Sequence, residues 1–360
     1  MLRLTHHIKI DLTIIALCLI LNNISGYAQT NQSDAPVFYG ISAYYGQFQV
    51  HTKSLYPYNG THPYGIEFEF SRLLLKDNIR ETFGTFVKWG LGVNYVNFNH
   101  ADLGHGLTGV AYIEPFIKAG RRWRYSLKAG MGVAFMSHPY HPESNPQNLT
   151  YSTQLAFPLF GGGSVYYFFT NEWAIKATAS FQHISNGGIK QPNLGINYPV
   201  IALGVEHTLH HYTIPPAKRL HHYTKAKRMD ILLGYSLKED TTHTNNQNVI
   251  TGIINRSWQV SRINAITVSF FAEYQESSEI TSTKDQWSLA PLVGNEFILG
   301  KLYFGQQIGA YLLKGQKAPN LLLQNYYLRA KVNAHFIAGV NLKAHGRVAD
   351  FLSIQLGYTF

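Results

Sequence analysis

The stretch Trp173–Phe181, with the sequence WAIKATASF, alternates between apolar and polar side chains. The stretch Phe336–His345, FIAGVNLKAH, repeats the same period of two. Alternation of this kind predicts β-strands with one apolar and one polar face, and a length of about ten residues is typical of strands in a transmembrane barrel. A soluble β-sandwich would produce the same alternation, so the ends of the chain must distinguish the two.

The remainder of the chain contains similar segments, separated alternately by tight links and by longer polar loops. A short link is Asn171-Glu172, whereas 136–154 and 184–197 are long. Short turns at one end and long loops at the other are typical of outer-membrane barrels. The candidate strands lie near 39–50, 63–73, 86–98, 106–118, 122–135, 155–170, 173–183, 198–210, 229–238, 248–259, 265–276, 287–299, 302–313, 324–332, 336–345 and 350–360.

The two ends of the chain favour an outer-membrane protein. Residues 1–28 predict a signal peptide, with a basic start, the apolar run Leu12–Leu21 and a small-x-small cleavage site at Gly26-Tyr27-Ala28. The last strand ends in Leu-Gly-Tyr-Thr-Phe, and a terminal aromatic such as Phe360 is typical of barrels recognised by the barrel assembly machinery. We therefore expect the protein in the outer membrane of a Gram-negative bacterium, with that machinery as a partner.

These features together predict an all-β fold, an antiparallel transmembrane outer-membrane β-barrel of about 16 strands. One large barrel is the favoured arrangement. Two fused 8-stranded barrels are the alternative, which the stretch 211–228 with its Pro215-Pro216 pair favours. The predicted domains are the signal peptide, a first eight-stranded half at 29–210, a linker at 211–228 and a second eight-stranded half at 229–360.

The composition excludes several classes of function. The 360 residues include 30 Lys and Arg against 20 Asp and Glu, but the only basic cluster is the short stretch Lys218–Arg228, so nucleic acid is not an expected partner. The single cysteine, Cys18, falls inside the predicted signal peptide, which leaves no disulfide or thiolate site after cleavage. We find no metal-binding spacing and expect neither a metal nor a cofactor.

One segment carries residues suited to catalysis. His183 and Ser185 are two positions apart on a predicted strand, so both lie on the apolar, lipid-facing side that includes Phe181. Hydrocarbon offers a His or a Ser no hydrogen-bond partner, so the pair is a poor structural choice there. As base and nucleophile, the two could attack an ester carbonyl of a lipid.

The neighbouring predicted strand supplies a third candidate. Asn197 is in phase with the apolar residues Pro199 and Ile201, and so lies on the same face as His183. An amide oxygen there could orient the imidazole, the role that an acid usually has in a catalytic triad. Glu206 falls in the opposite phase and is not a candidate.

The His-x-Ser-Asn pattern at 183–186, with a second Asn at 193, resembles the outer-membrane lipid A 3-O-deacylases of the PagL type, often called acyloxyacyl hydrolases. The resemblance covers roughly residues 37–210. It implies His183 as general base and Ser185 as nucleophile, and an oxyanion site formed by Asn186, Asn193 and amides around Gly187 and Gly188. Where the family has a Glu, twelve residues after the Ser, this chain has Asn197.

The resemblance implies an esterase that removes an ester-linked 3-hydroxyacyl chain from lipid A, or lipopolysaccharide, by Ser-His hydrolysis without a cofactor. The alternative is a non-catalytic outer-membrane barrel, a pore or a structural protein, with a degenerate site. The oligomeric state and the acyl chain removed are left open by the sequence.

Overall fold

The computed structural model describes residues 35–209, 212, 214, 225–239, 246–276, 282–316, 318–346 and 348–360. The predicted signal peptide and most of the predicted linker lie outside this part of the chain. Within it, no helix has both the length and the apolar character needed to cross a membrane.

The first unit of the chain contains eight antiparallel strands. Their bounds are β1 Val37–Gly46, β2 Tyr64–Leu74, β3 Val87–Asn97, β4 His105–Ala119, β5 Trp123–Met136, β6 Leu155–Phe168, β7 Trp173–Ser185 and β8 Ile196–Thr208. A 3₁₀ helix at Lys53–Tyr58 lies between β1 and β2, and a short helix, α1 at Asp77–Phe83, lies between β2 and β3.

These strands form a closed barrel. Each strand pairs with the next in the chain, and β1 also pairs with β8, with Ile41 opposite Val205. Because β1 closes on β8, the favoured arrangement of one large barrel is wrong, whereas the predicted number of about 16 strands is confirmed among the described residues. The alternative of two fused eight-stranded barrels is confirmed, as is the all-β antiparallel class.

The second unit is another closed barrel of eight antiparallel strands. These are β9 Lys227–Glu239, β10 Asn246–Ser261, β11 Asn264–Gln275, β12 Trp287–Leu299, β13 Leu302–Ala310, β14 Leu322–Lys331, β15 Phe336–His345 and β16 Val348–Thr359. A 3₁₀ helix at Thr283–Gln286 precedes β12. β16 pairs with β9, with Leu356 opposite Leu233, which closes the ring.

The interior of the first barrel is filled by paired charges. Lys88 Nζ donates to Glu206 at 2.5 Å, and both side chains are almost fully buried. Glu69 accepts from both Lys128 and Lys176, the latter at 2.5 Å. An eight-stranded barrel is just wide enough for side chains to fill. Each charge in these pairs therefore has an opposite charge to offset its desolvation.

The outer face of the first barrel is apolar, as the period of two predicts. On β8, Ile201 is 67% exposed and Leu203 63%, whereas Ala202 between them is buried. Aromatic rings cluster at the end with the tight turns, where Trp173 stacks on His207 with ring centroids 4.3 Å apart. Lipid tails would cover the aliphatic band, and the rings would lie at the interface.

The two ends of the first barrel differ in the length of their connections. One end has the tight links 120–122 and 169–172, and also the connection 75–86 that contains α1. The other end has 47–63, 98–104, 137–154 and 186–195. Long loops face the outside in outer-membrane barrels. The segment that begins at His183 therefore lies at the outer end.

Candidate active site

His183 and Asn197 are direct neighbours across β7 and β8. They occupy opposite positions in the ladder, and Asn197 Oδ1 lies 2.6 Å from His183 Nδ1. An amide oxygen can only accept a hydrogen bond, so this contact places the imidazole proton on Nδ1. The other ring nitrogen, Nε2, then keeps its lone pair and is able to take a proton.

Ser185 is the last residue of β7 and lies on the same face as His183. Its side chain is largely buried, at 8% exposure, and it stands opposite Phe157 on β6. Among the residues that the structure describes, no hydrogen bond joins Ser185 Oγ to the imidazole. Alternate residues on a strand are roughly 7 Å apart, so the two side chains must lean together to meet, and such bonds are often loose without substrate.

The loop that follows Ser185 is held by the two predicted asparagines. The backbone N–H of Asn186 donates to Asn193 Oδ1 at 2.9 Å. Asn186 Nδ2 donates to Lys190 O at 2.7 Å and to Ser152 Oγ at 3.0 Å. Asn186 therefore uses its backbone N–H and its side-chain Nδ2 to fix the loop.

Asn193 retains one unused donor. Its Nδ2 is buried and has no hydrogen-bond partner among the described residues. An unpaired buried donor destabilises the fold, so its presence is explained if the donor has a function. The predicted glycines lie in this loop, and both Gly187 and Gly188 have positive φ, 69° and 80°, which a turn of this kind requires.

Two residues near His183 were missed by the sequence analysis. The first is Gly195, with φ at 76°, where a Cβ atom would lie 2.8 Å from His183 Cε1. The second is His51, whose Nδ1 lies 3.1 Å from Asn197 Nδ2. A glycine three residues before the predicted strand 198–210 was a usable signal for the first, but His51 lies in a loop without periodicity and gave none.

The long loop between β5 and β6 packs beside the candidate site. Leu194 N–H donates to Leu149 O at 3.0 Å, and Gly195 N–H donates to Thr150 O at 2.8 Å. Tyr58, in the β1–β2 loop, donates its hydroxyl to Gln147 O at 2.8 Å. Burial raises the pKa of Tyr58 to about 12, so this hydroxyl remains a donor at neutral pH. The bonds at Leu194 and Gly195 fix the backbone just before Asn197.

The second barrel contains no copy of this arrangement among its described residues. His345 is buried in the interior, where Nε2 lies 3.0 Å from the Tyr311 hydroxyl and Nδ1 lies 3.6 Å from Asp350. Its side chain therefore does not share the outward placement of His183. Nor does any group of three or more His, Cys, Asp or Glu side chains in the described chain form a metal site.

The fold and this site define a class, that of an outer-membrane β-barrel with a candidate hydrolase centre at its outer end. Two family models match the chain. Residues 38–206 match lipid A 3-O-deacylase (PagL), and residues 227–360 match the C-terminal domain of acyloxyacyl hydrolase. The two models together cover most of the chain, which belongs to the PagL lipid A deacylase family, and the second model matches the half that the resemblance did not cover.

Comparison with solved structures finds other barrels. The crystal structure of the outer membrane enzyme PagL is 20% identical, with a TM-score of 0.32, over 46% of this chain and 97% of that one. Neisserial surface protein A is 11% identical, with a TM-score of 0.31, over 48% of this chain and 96% of that one. The siderophore receptor PirA from Acinetobacter baumannii is 8% identical, with a TM-score of 0.24, over 89% of this chain and 45% of that one. No curated protein matches the sequence.

Family membership has two direct consequences. The protein is located in the outer membrane of a Gram-negative bacterium, as the barrels and the family both indicate. The family acts on lipid A, which makes lipid A the substrate class to be tested.

Proposed function

We propose that the protein is an outer-membrane esterase that removes an ester-linked 3-hydroxyacyl chain from lipid A, with Ser185 as nucleophile and His183 as general base. The observation that carries this proposal is the 2.6 Å contact between His183 Nδ1 and Asn197 Oδ1, on the outward face beside Ser185. It gives the imidazole the tautomer that a general base needs. An outward-facing site suits a lipid, which can reach it from the bilayer.

The first half of the reaction forms an acyl-enzyme. His183 Nε2 takes the hydroxyl proton as Ser185 Oγ attacks the ester carbonyl, and the carbonyl oxygen becomes an oxyanion. The imidazolium that forms is stabilised by donation from Nδ1 to Asn197 Oδ1. Collapse of the intermediate breaks the bond to the sugar oxygen, which takes the proton from His183 Nε2 and leaves as an alcohol.

The second half releases the acid. Water gives a proton to His183 Nε2 and attacks the acyl-Ser185 ester. The second oxyanion then collapses, Ser185 Oγ leaves and takes that proton back, and a free 3-hydroxy fatty acid is formed. No cofactor is required, because both steps move only protons and an acyl group.

Asn193 is the proposed oxyanion donor from a side chain. Its Nδ2 is buried without a partner, and its Oδ1 already accepts from Asn186 N–H, so the amide is held in a fixed orientation. Preorganised donors of this kind stabilise charge that develops in the transition state. Backbone N–H groups at Gly187 and Gly188 are the proposed second source.

A degenerate site on a non-catalytic barrel is the second candidate. The observation that favours it is Asn197 in the place of the family's Glu, because a neutral amide stabilises the imidazolium less than a carboxylate does. A pore is the less favoured form of this alternative, because paired charges such as Lys88 and Glu206 fill the interior of the first barrel.

Mass spectrometry of lipid A separates the two candidates. The chain is expressed in a Gram-negative host whose lipid A retains its 3-O-acyl chains, beside a Ser185→Ala variant. A matched control is Ser180→Ala, since Ser180 is on the same strand but in the opposite phase. The proposal expects lipid A to lose the mass of one 3-hydroxyacyl chain with the wild type and with Ser180→Ala only. Lipid A of unchanged mass with folded wild type in the outer membrane would favour the degenerate site.

A further inference from the structure

A hydrogen-bonded chain continues from Asn197 to His51. The backbone N–H of Gln49 donates to Asn197 O at 2.8 Å, which extends the β1–β8 ladder and places His51 beside Asn197. Asn197 Nδ2 then lies 3.1 Å from His51 Nδ1, and His51 Nε2 lies 3.0 Å from Leu194 O. His183 and His51 thus lie on either side of the Asn197 amide. His51 and Asn197 are 146 residues apart in the sequence.

Donation along this series of hydrogen bonds has a fixed direction because the series ends on a carbonyl oxygen. Leu194 O can only accept, so a neutral His51 must carry its proton on Nε2. Its Nδ1 then has only a lone pair and requires a donor, which Asn197 Nδ2 supplies. A second acceptor, Gln49 O, lies 3.3 Å from the same Nδ1 and cannot supply that proton.

The direction matters because an asparagine amide can be turned over. With Oδ1 towards His183, the imidazole keeps its proton on Nδ1 and its base on Nε2. With Nδ2 towards His183, Nδ1 would have to accept, and the proton would move to Nε2, where it blocks proton transfer from Ser185. A family carboxylate has no such ambiguity, since both of its oxygens accept.

We propose that His51 is a positioning residue, which holds the Asn197 amide with Oδ1 towards His183 and so selects the tautomer in which His183 can act as a base. This inference rests on the proposed function for its catalytic meaning. In this proposal His51 acts on the imidazole through Asn197 and not on the reacting atoms. It provides the orientation that an asparagine needs where the family has a glutamate.

A double-mutant cycle tests the inference in the purified full chain with lipid A as substrate. His51→Phe keeps a flat ring and removes both nitrogens, and in the wild-type background it should lower kcat about two- to tenfold with KM unchanged. His51→Asn, whose side-chain oxygen can accept near the position of Nδ1, should restore most of that loss. In an Asn197→Asp background, His51→Phe should change kcat by about twofold at most, because a carboxylate needs no orientation. An equal loss in both backgrounds would overturn the inference and show that His51 acts only through packing.

A second measurement is independent of activity. The ¹⁵N NMR signals of the His183 imidazole, assigned by difference against His183→Gln, report which ring nitrogen carries the proton. The wild type should show the proton on Nδ1, and His51→Phe should show both tautomers. A His183 tautomer that is unaffected by His51→Phe would contradict the inference. If the wild type releases no fatty acid, the proposed function fails, and the NMR result still decides the role of His51.

Discussion

Replacement of Asn197 by Ala removes the only described hydrogen-bond partner of the His183 imidazole. The lost contact is the 2.6 Å bond between His183 Nδ1 and Asn197 Oδ1. In the resting enzyme it joins two neutral groups and contributes about 0.5–1.5 kcal/mol. In the transition state the ring is an imidazolium, and a bond to a charged donor contributes about 1.5–3 kcal/mol.

The difference between these two values sets the expected loss of kcat, because the substitution removes the contact from the ground state as well. A difference of about 1–1.5 kcal/mol corresponds to a fall in kcat of about five- to tenfold. The fall increases towards about 10⁴-fold if the ring also adopts the wrong tautomer. Folding should be little affected, because the side chain is on the outer face and its removal opens no cavity in the barrel interior.

The assay is fatty acid release from lipid A by equal amounts of folded protein, with Asn197→Asp as the matched control. Aspartate has the same shape, keeps the acceptor beside His183 Nδ1 and adds a charge that stabilises the imidazolium. Its kcat should equal or exceed that of the wild type, and Asn197→Glu, which restores the family's residue, should also retain activity. Undiminished kcat in Asn197→Ala would refute the role assigned to Asn197.

Three further changes test other parts of the account. Gly195→Ala should reduce kcat and lower the free energy of unfolding by about 1–2 kcal/mol, because the residue has φ at 76° and its Cβ would lie 2.8 Å from His183 Cε1. A variant with the activity and Tm of the wild type would disprove the close approach. Asn193→Asp keeps the acceptor for Asn186 N–H but removes the unpaired donor, so kcat should fall by about 10²- to 10³-fold with assembly intact. An unchanged kcat would exclude this donor from the oxyanion site. Lys88→Met leaves Glu206 buried without its 2.5 Å partner and should destabilise the barrel by about 3–5 kcal/mol, measured by urea titration. The activity per folded molecule should be unchanged. A variant as stable as the wild type would show that the ion pair does not support the fold.

The alternation of side chains was sufficient to predict the strands but not the closure of the barrels. Stretches such as Trp173–Phe181 predict their own conformation, since the period of two is local. Closure depends on whether β1 meets β8 or the last strand, and both pairings join the same kinds of alternating faces. That choice is set by long-range pairing, which a sequence pattern does not encode.

The same distinction applies to the site. The juxtaposition of His183 and Asn197 could be predicted, because both fall in the apolar phase of adjacent strands. His51 could not, because its contact depends on a loop that continues the β1–β8 ladder past the end of the regular strand. The unpaired Nδ2 of Asn193 also becomes visible only when the loop is folded and its neighbours are known.

The most direct test of the central claim is the release of 3-hydroxy fatty acid from lipid A by the purified protein and its Ser185→Ala variant, compared at equal folded amounts. The proposed mechanism predicts steady release by the wild type and almost none by Ser185→Ala, because no other group in the site takes the place of the nucleophile. His183→Ala should be nearly as inactive, and the double variant no worse, since the two residues act as one unit. Release by Ser185→Ala at the wild-type rate would contradict the proposed mechanism.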